Sequence, residues 1–297
     1  MKLRTVGLWT MSFDRVPWTE TQVALRGAEE HGWRALWLPE STGHEVISLA
    51  TACLASTSEL VIATGIANIW ARDALALRRA QSLICEAFPD RFLLGVGVSH
   101  PGLAKRRGAD YADVPPLRRL REYLDAMDAV PSRGAVQESQ PPRVIAALGP
   151  KMLELARDRA DGAHTYNSPP SHTSWARTIL GEGRLLIPEV KVVLNRSTDD
   201  SRELARKNLP VTLPSYAANL IRSGFAPEEL QNGASDRVVD ALVAYGDADA
   251  VRGRVGEHLR AGADQVVLNV LTEPGRTPLA EWAALAHLAE PAESRGS

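Results

Sequence analysis

The sequence predicts an α/β protein that folds as a single-domain (β/α)8 TIM barrel. Short apolar segments typical of strands alternate with longer segments typical of helices, and no two strand segments are close enough to form a hairpin. This alternation indicates a parallel sheet. Eight such units within 297 residues fit a (β/α)8 barrel better than a doubly wound sheet with a second domain. We therefore assign residues 1–290 to one barrel domain and residues 291–297 to a short flexible tail.

Local signals place the elements in order. Thr19 and Gln22 have the spacing of a capping box, and Gly32 is placed to end the same helix. Pro150 follows a strand at a position where proline favours the start of a helix. The predicted strands are residues 6–10, 35–39, 60–66, 92–98, 143–148, 163–166, 190–195 and 265–271. The predicted helices are residues 19–31, 45–56, 72–87, 117–130, 150–160, 172–180 and 278–289, with several more between 198 and 262 and a polar loop at 101–116.

The composition argues against nucleic acid and membranes as partners. Lys and Arg number 34 and Asp and Glu 36, so the formal charge is −2 and gives no reason to bind a polyanion. No apolar stretch is long enough to cross a bilayer, and the N-terminus lacks a signal-peptide pattern. Cys53 and Cys85 lie in apolar helical runs, which suits buried reduced thiols. We expect a soluble, cytoplasmic protein.

Polar residues and glycines follow the apolar bodies of the predicted strands. In (β/α)8 barrels, chemistry is found at these carboxyl ends. The third strand is the most informative, because Thr64, Gly65 and Asn68 interrupt its apolar run. A glycine there marks a bulge, a close approach of a ligand, or simply a strand leaving the sheet. Glu40 and His100 follow neighbouring strands and are expected at the same mouth, although a lone histidine at a strand end is more often structural.

Other kinds of site have less support. The run from Gly95 to His100 lacks the third glycine of a dinucleotide fingerprint, and a loop rather than a helix is expected after it. It is better interpreted as a small-residue strand end over which a flat ligand lies. The seven histidines include no H-x-H or H-E-x-x-H pair, so no metal site is predicted. No nucleophile elbow is present to support acyl transfer.

A strand-to-helix junction at Gly149, Pro150 and Lys151 is a candidate anion site. Amide groups at a helix N-terminus attract an anion, and Lys151 adds positive charge. The alternative is an ordinary strand-to-helix turn. Arg72 and the basic run 105–107 are further possible anion contacts, or solvated surface.

Six segments together resemble the bacterial luciferase-like superfamily, and more closely its F420-dependent oxidoreductase branch. The resemblance implies a TIM barrel of the bacterial luciferase-like type, whose mouth holds the tricyclic ring of coenzyme F420. It also implies a cis peptide at Gly65–Ile66, forming a backbone bulge against one face of the ring. The segments are residues 35–40, 63–68, 94–99, 148–153, 160–166 and 261–266.

The resemblance also implies site residues. Glu40 falls where relatives carry an acidic residue near the ring, and Ser41 where some carry a catalytic histidine. His100 stands where sugar-phosphate-oxidising relatives have a carboxylate, which argues against such a substrate. Residues 147–149 would follow the cofactor side chain, and Tyr166 and Asn167 would approach its phosphate. The implied cofactor-binding residues are Glu40, Thr64, Gly65, Ile66, Asn68, Gly97, Ala147, Leu148, Gly149, Lys151, Tyr166 and Asn167.

The resemblance implies hydride transfer between F420 and a small organic substrate, with reduction of a C=C, C=N or C=O bond expected. A group that titrates near neutrality suits the accompanying proton transfer, so His100 is the first candidate acid/base and Glu40 the second. The alternatives are an FMN-dependent monooxygenase of the same superfamily and a non-catalytic flavin-binding protein. A homodimer is expected, with helices 45–56 and 72–87 as its candidate interface.

Overall fold

The structure is a computed structural model that describes residues 3–108, 114–131 and 141–289. Within these residues the chain forms a closed barrel of eight parallel strands surrounded by helices, which confirms the predicted fold class. The expected tail at 291–297 and part of the loop expected at 101–116 lie outside the described residues. None of the described helices is both long and apolar enough to cross a membrane.

In the described part of the chain ten strands form one sheet, and the barrel closes because β10 pairs with both β1 and β8. β4 continues the third barrel strand, and β9 lies outside the ring of eight. The strands are β1 (Val6–Trp9), β2 (Ala35–Leu38), β3 (Val61–Thr64), β4 (Ala67–Asn68), β5 (Phe92–Gly97), β6 (Arg143–Ala146), β7 (Gly162–Thr165), β8 (Leu185–Leu194), β9 (Val243–Gly246) and β10 (Val266–Val270).

Twelve α-helices pack around the described barrel, and three short 3-10 helices lie at Ser12–Asp14, Pro227–Leu230 and Ala286–Leu288. The helices are α1 (Trp18–Glu30), α2 (Val46–Ala55), α3 (Ala74–Ala87), α4 (Pro101–Arg106), α5 (Pro116–Asp128), α6 (Pro150–Arg159), α7 (Pro170–Leu180), α8 (Thr198–Asn208), α9 (Pro214–Arg222), α10 (Asp236–Leu242), α11 (Ala248–Arg260) and α12 (Leu279–Ala284).

Three local expectations are wrong. A short helix, α4, follows β5 where a loop is expected, with Pro101 at its first position. β8 begins at Leu185 rather than at residue 190. The segment between residues 198 and 262, expected to be helical, contains β9, which pairs with residues 191–194 of β8. On β8, the strand β7 pairs with residues 185–188 only, so β9 uses the part of that edge that β7 leaves free.

A bulge interrupts the third barrel strand at its carboxyl end. Ala63 pairs with Leu93 on β5. Ala67 pairs with Val96, so the β3–β4 strand carries one residue more than β5 over this interval. The Gly65–Ile66 peptide within the bulge is cis, as predicted. The bulge therefore lies where the sequence places the interruption of the strand.

The barrel interior is filled by large side chains that point inward from alternate strand positions. Trp9 and Trp37 are almost completely buried there. Trp37 donates to Gln265 Oε1 at 3.0 Å and stacks on His164, with ring centroids 4.7 Å apart. A larger apolar layer lies between strands and helices and includes Cys53, which like Cys85 is a free thiol, as predicted. This solid interior leaves the strand ends as the place for a ligand.

Candidate active site

The carboxyl ends of the strands bring several predicted site residues into one connected cluster, which we call the mouth. The Glu40 amide donates to the Ile66 carbonyl at 3.2 Å, which joins β2 to the bulge. Trp9 Nε1 donates to the Gly65 carbonyl at 3.2 Å. The Trp9 ring also lies 5.4 Å from the ring of Tyr166, measured between centroids. The first, second, third and sixth barrel strands thus meet around the bulge.

Small residues beneath the bulge make room for the Ile66 side chain. A Cβ at Gly97 would lie 2.8 Å from Ala146 Cβ and 3.1 Å from Ile66 Cγ1. A Cβ at Gly95 would lie 2.0 Å from the Thr64 carbonyl oxygen. Only glycine at these two positions permits this approach of the backbone. The interpretation of this run as a small-residue strand end is consistent with these contacts.

Thr64 has a structural role in the same region. Its hydroxyl donates to the Gly95 carbonyl at 2.7 Å and accepts from the Gly95 amide at 2.8 Å. The residue is completely buried. These bonds replace strand pairing at the point where the bulge disrupts it, so Thr64 fixes the bulge against β5.

Glu40 is buried, and both of its carboxylate oxygens have partners. Oε2 accepts from the Asn68 amide at 2.7 Å, and Oε1 forms a close ion pair with Arg72 Nη2. Arg107 Nη2 lies 4.0 Å from the same Oε1. These contacts favour a positioning role, in which Glu40 holds the backbone after the bulge. Its assignment as an acid/base stays a prediction.

His100 is the N-cap residue that precedes α4, and it contacts a residue that is not predicted from the sequence. Its Nε2 hydrogen-bonds the hydroxyl of Tyr216 on α9 at 3.1 Å. Its Nδ1 is buried without a hydrogen-bond partner among the described residues. Burial lowers the pKa of His100, so the imidazole is neutral near pH 7. A neutral imidazole with one unpaired nitrogen can accept or relay a proton.

A buried charged network at the mouth is also not predicted from the sequence. Lys191 Nζ donates to Glu189 Oε1 at 2.9 Å and to Asn167 Oδ1 at 2.6 Å. Asn269 Nδ2 donates to the same Glu189 oxygen at 2.6 Å. Burial lowers the pKa of Lys191, and the Glu189 carboxylate opposes that effect. The available signal was two charges spaced i, i+2, and so on one face, in the otherwise apolar β8.

Tyr166 connects this network to His100. Lys191 Nζ lies 3.9 Å from the centroid of the Tyr166 ring, a cation–π contact. The Tyr166 ring lies 5.7 Å from that of Tyr216, which in turn lies 5.0 Å from the His100 ring. The structure therefore places Tyr166 and Asn167 beside Lys191. Their expected approach to a cofactor phosphate stays a prediction.

A second basic side chain besides Lys151 lies near the junction at Gly149, where an anion site is predicted. Lys151 is exposed. Arg222 of α9 approaches the junction, since a Cβ at Gly149 would lie 3.9 Å from Arg222 Nη2. Arg222 Nη1 donates to Asn219 Oδ1 at 3.1 Å, and the buried Asn219 Nδ2 has no hydrogen-bond partner among the described residues. The carbonyl of Leu148 accepts from His172 Nε2 at 3.0 Å.

The neighbouring Ala147 is buried, and its amide donates to the His164 carbonyl at 3.1 Å, which continues the strand pairing of β6.

Unsatisfied donors at the mouth are candidate contacts for a polar ligand. Asn68 Nδ2 and Asn167 Nδ2 are buried and have no hydrogen-bond partner among the described residues. Such donors are uncommon in native proteins and often bind a ligand or water. The described residues hold no group of three or more His, Cys, Asp or Glu side chains arranged for a metal ion.

Comparison with known proteins identifies the class. A model of the luciferase-like monooxygenase family matches residues 6–265, and the chain belongs to that family. A 5,10-methylenetetrahydromethanopterin reductase from Archaeoglobus fulgidus is 23% identical over 295 residues, covering 84% of this chain and 88% of the relative.

Two solved structures are similar in fold. The coenzyme F420-dependent tetrahydromethanopterin reductase from Methanopyrus kandleri has a TM-score of 0.72 and 18% identity, covering 98% of this chain and 99% of the other. The oxygenating component of a Pseudomonas putida type II Baeyer–Villiger monooxygenase, in complex with FMN, has a TM-score of 0.67 and 12% identity, covering 97% of each chain.

Proposed function

We propose that this protein is an F420-dependent oxidoreductase that transfers a hydride between the deazaflavin and a small organic substrate. The observation that carries the proposal is the bulge at Gly65–Ile66 over a floor of the small residues Gly95, Gly97 and Ala146, which would support one face of a flat ring. The fold similarity to a coenzyme F420-dependent tetrahydromethanopterin reductase along nearly the whole chain supports the same cofactor.

Residues of the mouth suit a flat ring with polar edges. Ile66 and Gly97 would contact one face of the ring, and the free amide groups of Asn68 and Asn167 would donate to its edge. The junction at Gly149, with Arg222 and Lys151 near it, would hold the phosphate of the cofactor side chain. When bound, a deazaflavin accepts or supplies a hydride at one carbon of its ring.

Proton handling in this proposal belongs to His100. Its neutral imidazole contacts Tyr216 through Nε2, which leaves Nδ1 to exchange a proton with a substrate. Because the ring has a lowered pKa, it serves as a base or relay at neutral pH rather than as a permanent cation. In this scheme Glu40 is a positioning residue, which holds the Asn68 amide and the Arg72 side chain in place.

An FMN-dependent monooxygenase is the second candidate, favoured by the fold similarity to an FMN-bound oxygenating component. The two functions predict different cofactors. Anaerobic fluorescence titration of the protein with F420 and, separately, with FMN distinguishes them. We expect F420 to bind more tightly, and tight binding of FMN alone would overturn the proposal.

A second experiment separates an enzyme from a non-catalytic binding protein. Reduced F420 is mixed with a panel of small enones, imines and ketones, and its reoxidation is followed by absorbance. The expected result is substrate-dependent reoxidation that His100→Ala slows by about 100-fold or more. Binding of F420 with no turnover of any compound would favour a carrier protein.

We also propose that the chain forms a homodimer through the surface of α3. Leu75 and Leu83 lie two turns apart on this helix and are 55% and 65% exposed. Leu83→Glu should convert the dimer to a monomer in size-exclusion chromatography with light scattering. The matched control is Ile221→Glu, because Ile221 is an apolar residue of similar size that is 46% exposed on a different helix, α9. This substitution should leave the dimer intact.

A further inference from the structure

Three arginines lie together beside the mouth, on the side of β2, β4 and α5. Arg72 follows β4, Arg107 follows α4, and Arg119 lies in the second turn of α5. The Tyr123 hydroxyl, one turn after Arg119, donates to the Arg72 carbonyl at 3.0 Å and so joins the two segments. The charges of Arg72, Arg119 and Glu40 all act on this tyrosine.

The three arginines carry more hydrogen-bond donors than the surrounding acceptors satisfy. Arg72 Nη2 is shared between Glu40 Oε1 and Glu45 Oε1, while Arg72 Nη1 is buried without an acceptor among the described residues. Arg119 Nε is also buried and has no acceptor within the described part of the chain. These two unpaired guanidinium nitrogens are unusual, because buried donors in native proteins are nearly always satisfied.

The carboxylates nearby are committed to other bonds. Glu40 Oε2 accepts from the Asn68 amide at 2.7 Å. Glu45 caps α2, with its oxygens accepting from the amides of Ile47 at 3.0 Å and Ser48 at 2.7 Å. Arg107 Nη2 comes no nearer than 4.0 Å to Glu40, and its side chain is 34% exposed. Asp73, which follows Arg72, accepts from the Ala76 amide at 2.8 Å. The cluster therefore keeps guanidinium donors without acceptors and opens to solvent at Arg107.

The inner side of the cluster packs against Trp70. The guanidinium of Arg119 lies 5.3 Å from the ring centroid of Trp70. The Trp70 indole nitrogen donates to the Val98 carbonyl at 2.8 Å, which fixes the ring to the strand that leads to His100. The cluster is thus held at a set position relative to the candidate proton-transfer group.

We propose that Arg72, Arg107 and Arg119 form a subsite that binds an oxyanion of the substrate, a carboxylate or a phosphate. This inference rests on the proposed function, since it assigns the substrate to the mouth beside the cofactor. Guanidinium groups are suited to such anions because their donors match two oxygens at once. The junction at Gly149 lies at the end of β6 and has its own arginine, so the cofactor phosphate does not require this cluster.

Calorimetric titration of the full protein tests the subsite with three probes: benzoate, inorganic phosphate and benzamide. Benzamide has nearly the shape of benzoate but no charge. We expect at least one anion to bind, benzamide to bind more weakly, and Arg119→Gln to weaken anion binding about tenfold or more. The matched control is Arg118→Gln, because Arg118 is the adjacent residue, is exposed and pairs with Glu122.

The outcomes separate the subsite from the cofactor assignment. Preference for benzoate identifies a carboxylate subsite, and preference for phosphate identifies a phosphate subsite. Equal binding of benzamide and benzoate with no phosphate binding, or equal losses in Arg118→Gln and Arg119→Gln, would overturn the inference even if F420 binds. Anion binding that depends on Arg119 would support the subsite even if the F420 titration fails.

Discussion

The buried imidazole of His164 is expected to make the folded barrel less stable in acid. His164 is enclosed in the barrel, stacks on Trp37 and donates from Nδ1 to the Ile187 carbonyl at 2.8 Å. Burial lowers its pKa from 6.5 to about 4. Between these values the unfolded chain binds a proton that the folded chain does not, so stability falls as pH drops below 6.5. Acidification to about pH 4 should remove about 3 kcal/mol through this side chain.

Urea unfolding between about pH 4.5 and 7.5 measures this effect. His164→Asn keeps a donor near the position of Nδ1 but cannot titrate. Its free energy of unfolding should therefore depend less steeply on pH than that of the wild type, by up to about 1.4 kcal/mol per pH unit. His31→Asn, at an exposed histidine after α1, measures the effect of the substitution alone. Parallel pH curves for the wild type and His164→Asn would refute the reasoning.

Three further outcomes test the mouth. Gly97→Ala places a methyl group 2.8 Å from Ala146 Cβ, so it should lower the free energy of unfolding by about 1–3 kcal/mol. It should also weaken F420 binding in a fluorescence titration, and an unchanged affinity would contradict the proposed ring floor. Lys191→Ala leaves Glu189 buried and unpaired, so the free energy of urea unfolding should fall by about 3–5 kcal/mol, and adding Glu189→Gln should restore part of it. The His100 ring should titrate below 6.5 in NMR, and a higher value would remove the neutral imidazole from the scheme.

Much of the mouth was predictable because its signals are contiguous in the sequence. The interruption of an apolar run at Gly65 marks the bulge, and the resemblance of that run to a known family gives the cis peptide at Gly65–Ile66. Glu40 and His100 follow strands, and parallel strands bring their carboxyl ends to one face. These inferences need only the order of the elements.

The partners of these residues were not predictable in the same way. Tyr216 reaches His100 across 116 positions of sequence, and nothing in α9 marks it as a neighbour of β5. Arg222 approaches Gly149 from the same helix. β9 was missed because a four-residue strand between two helices has too short a pattern to distinguish from a helix end. Long-range contacts depend on packing, which local patterns do not determine.

Tyr216 belongs to a part of the chain that has a core of its own. Leu204, Leu220 and Val238, from α8, α9 and α10, pack in a cluster separate from the main apolar layer of the barrel. Of the described barrel strands only β8 contributes to this cluster, through Val193, so substitutions within α9 can alter the wall at His100 while the other barrel strands keep their packing. Because of this division, substitutions in α9 can change which molecules the mouth accepts without altering the barrel scaffold.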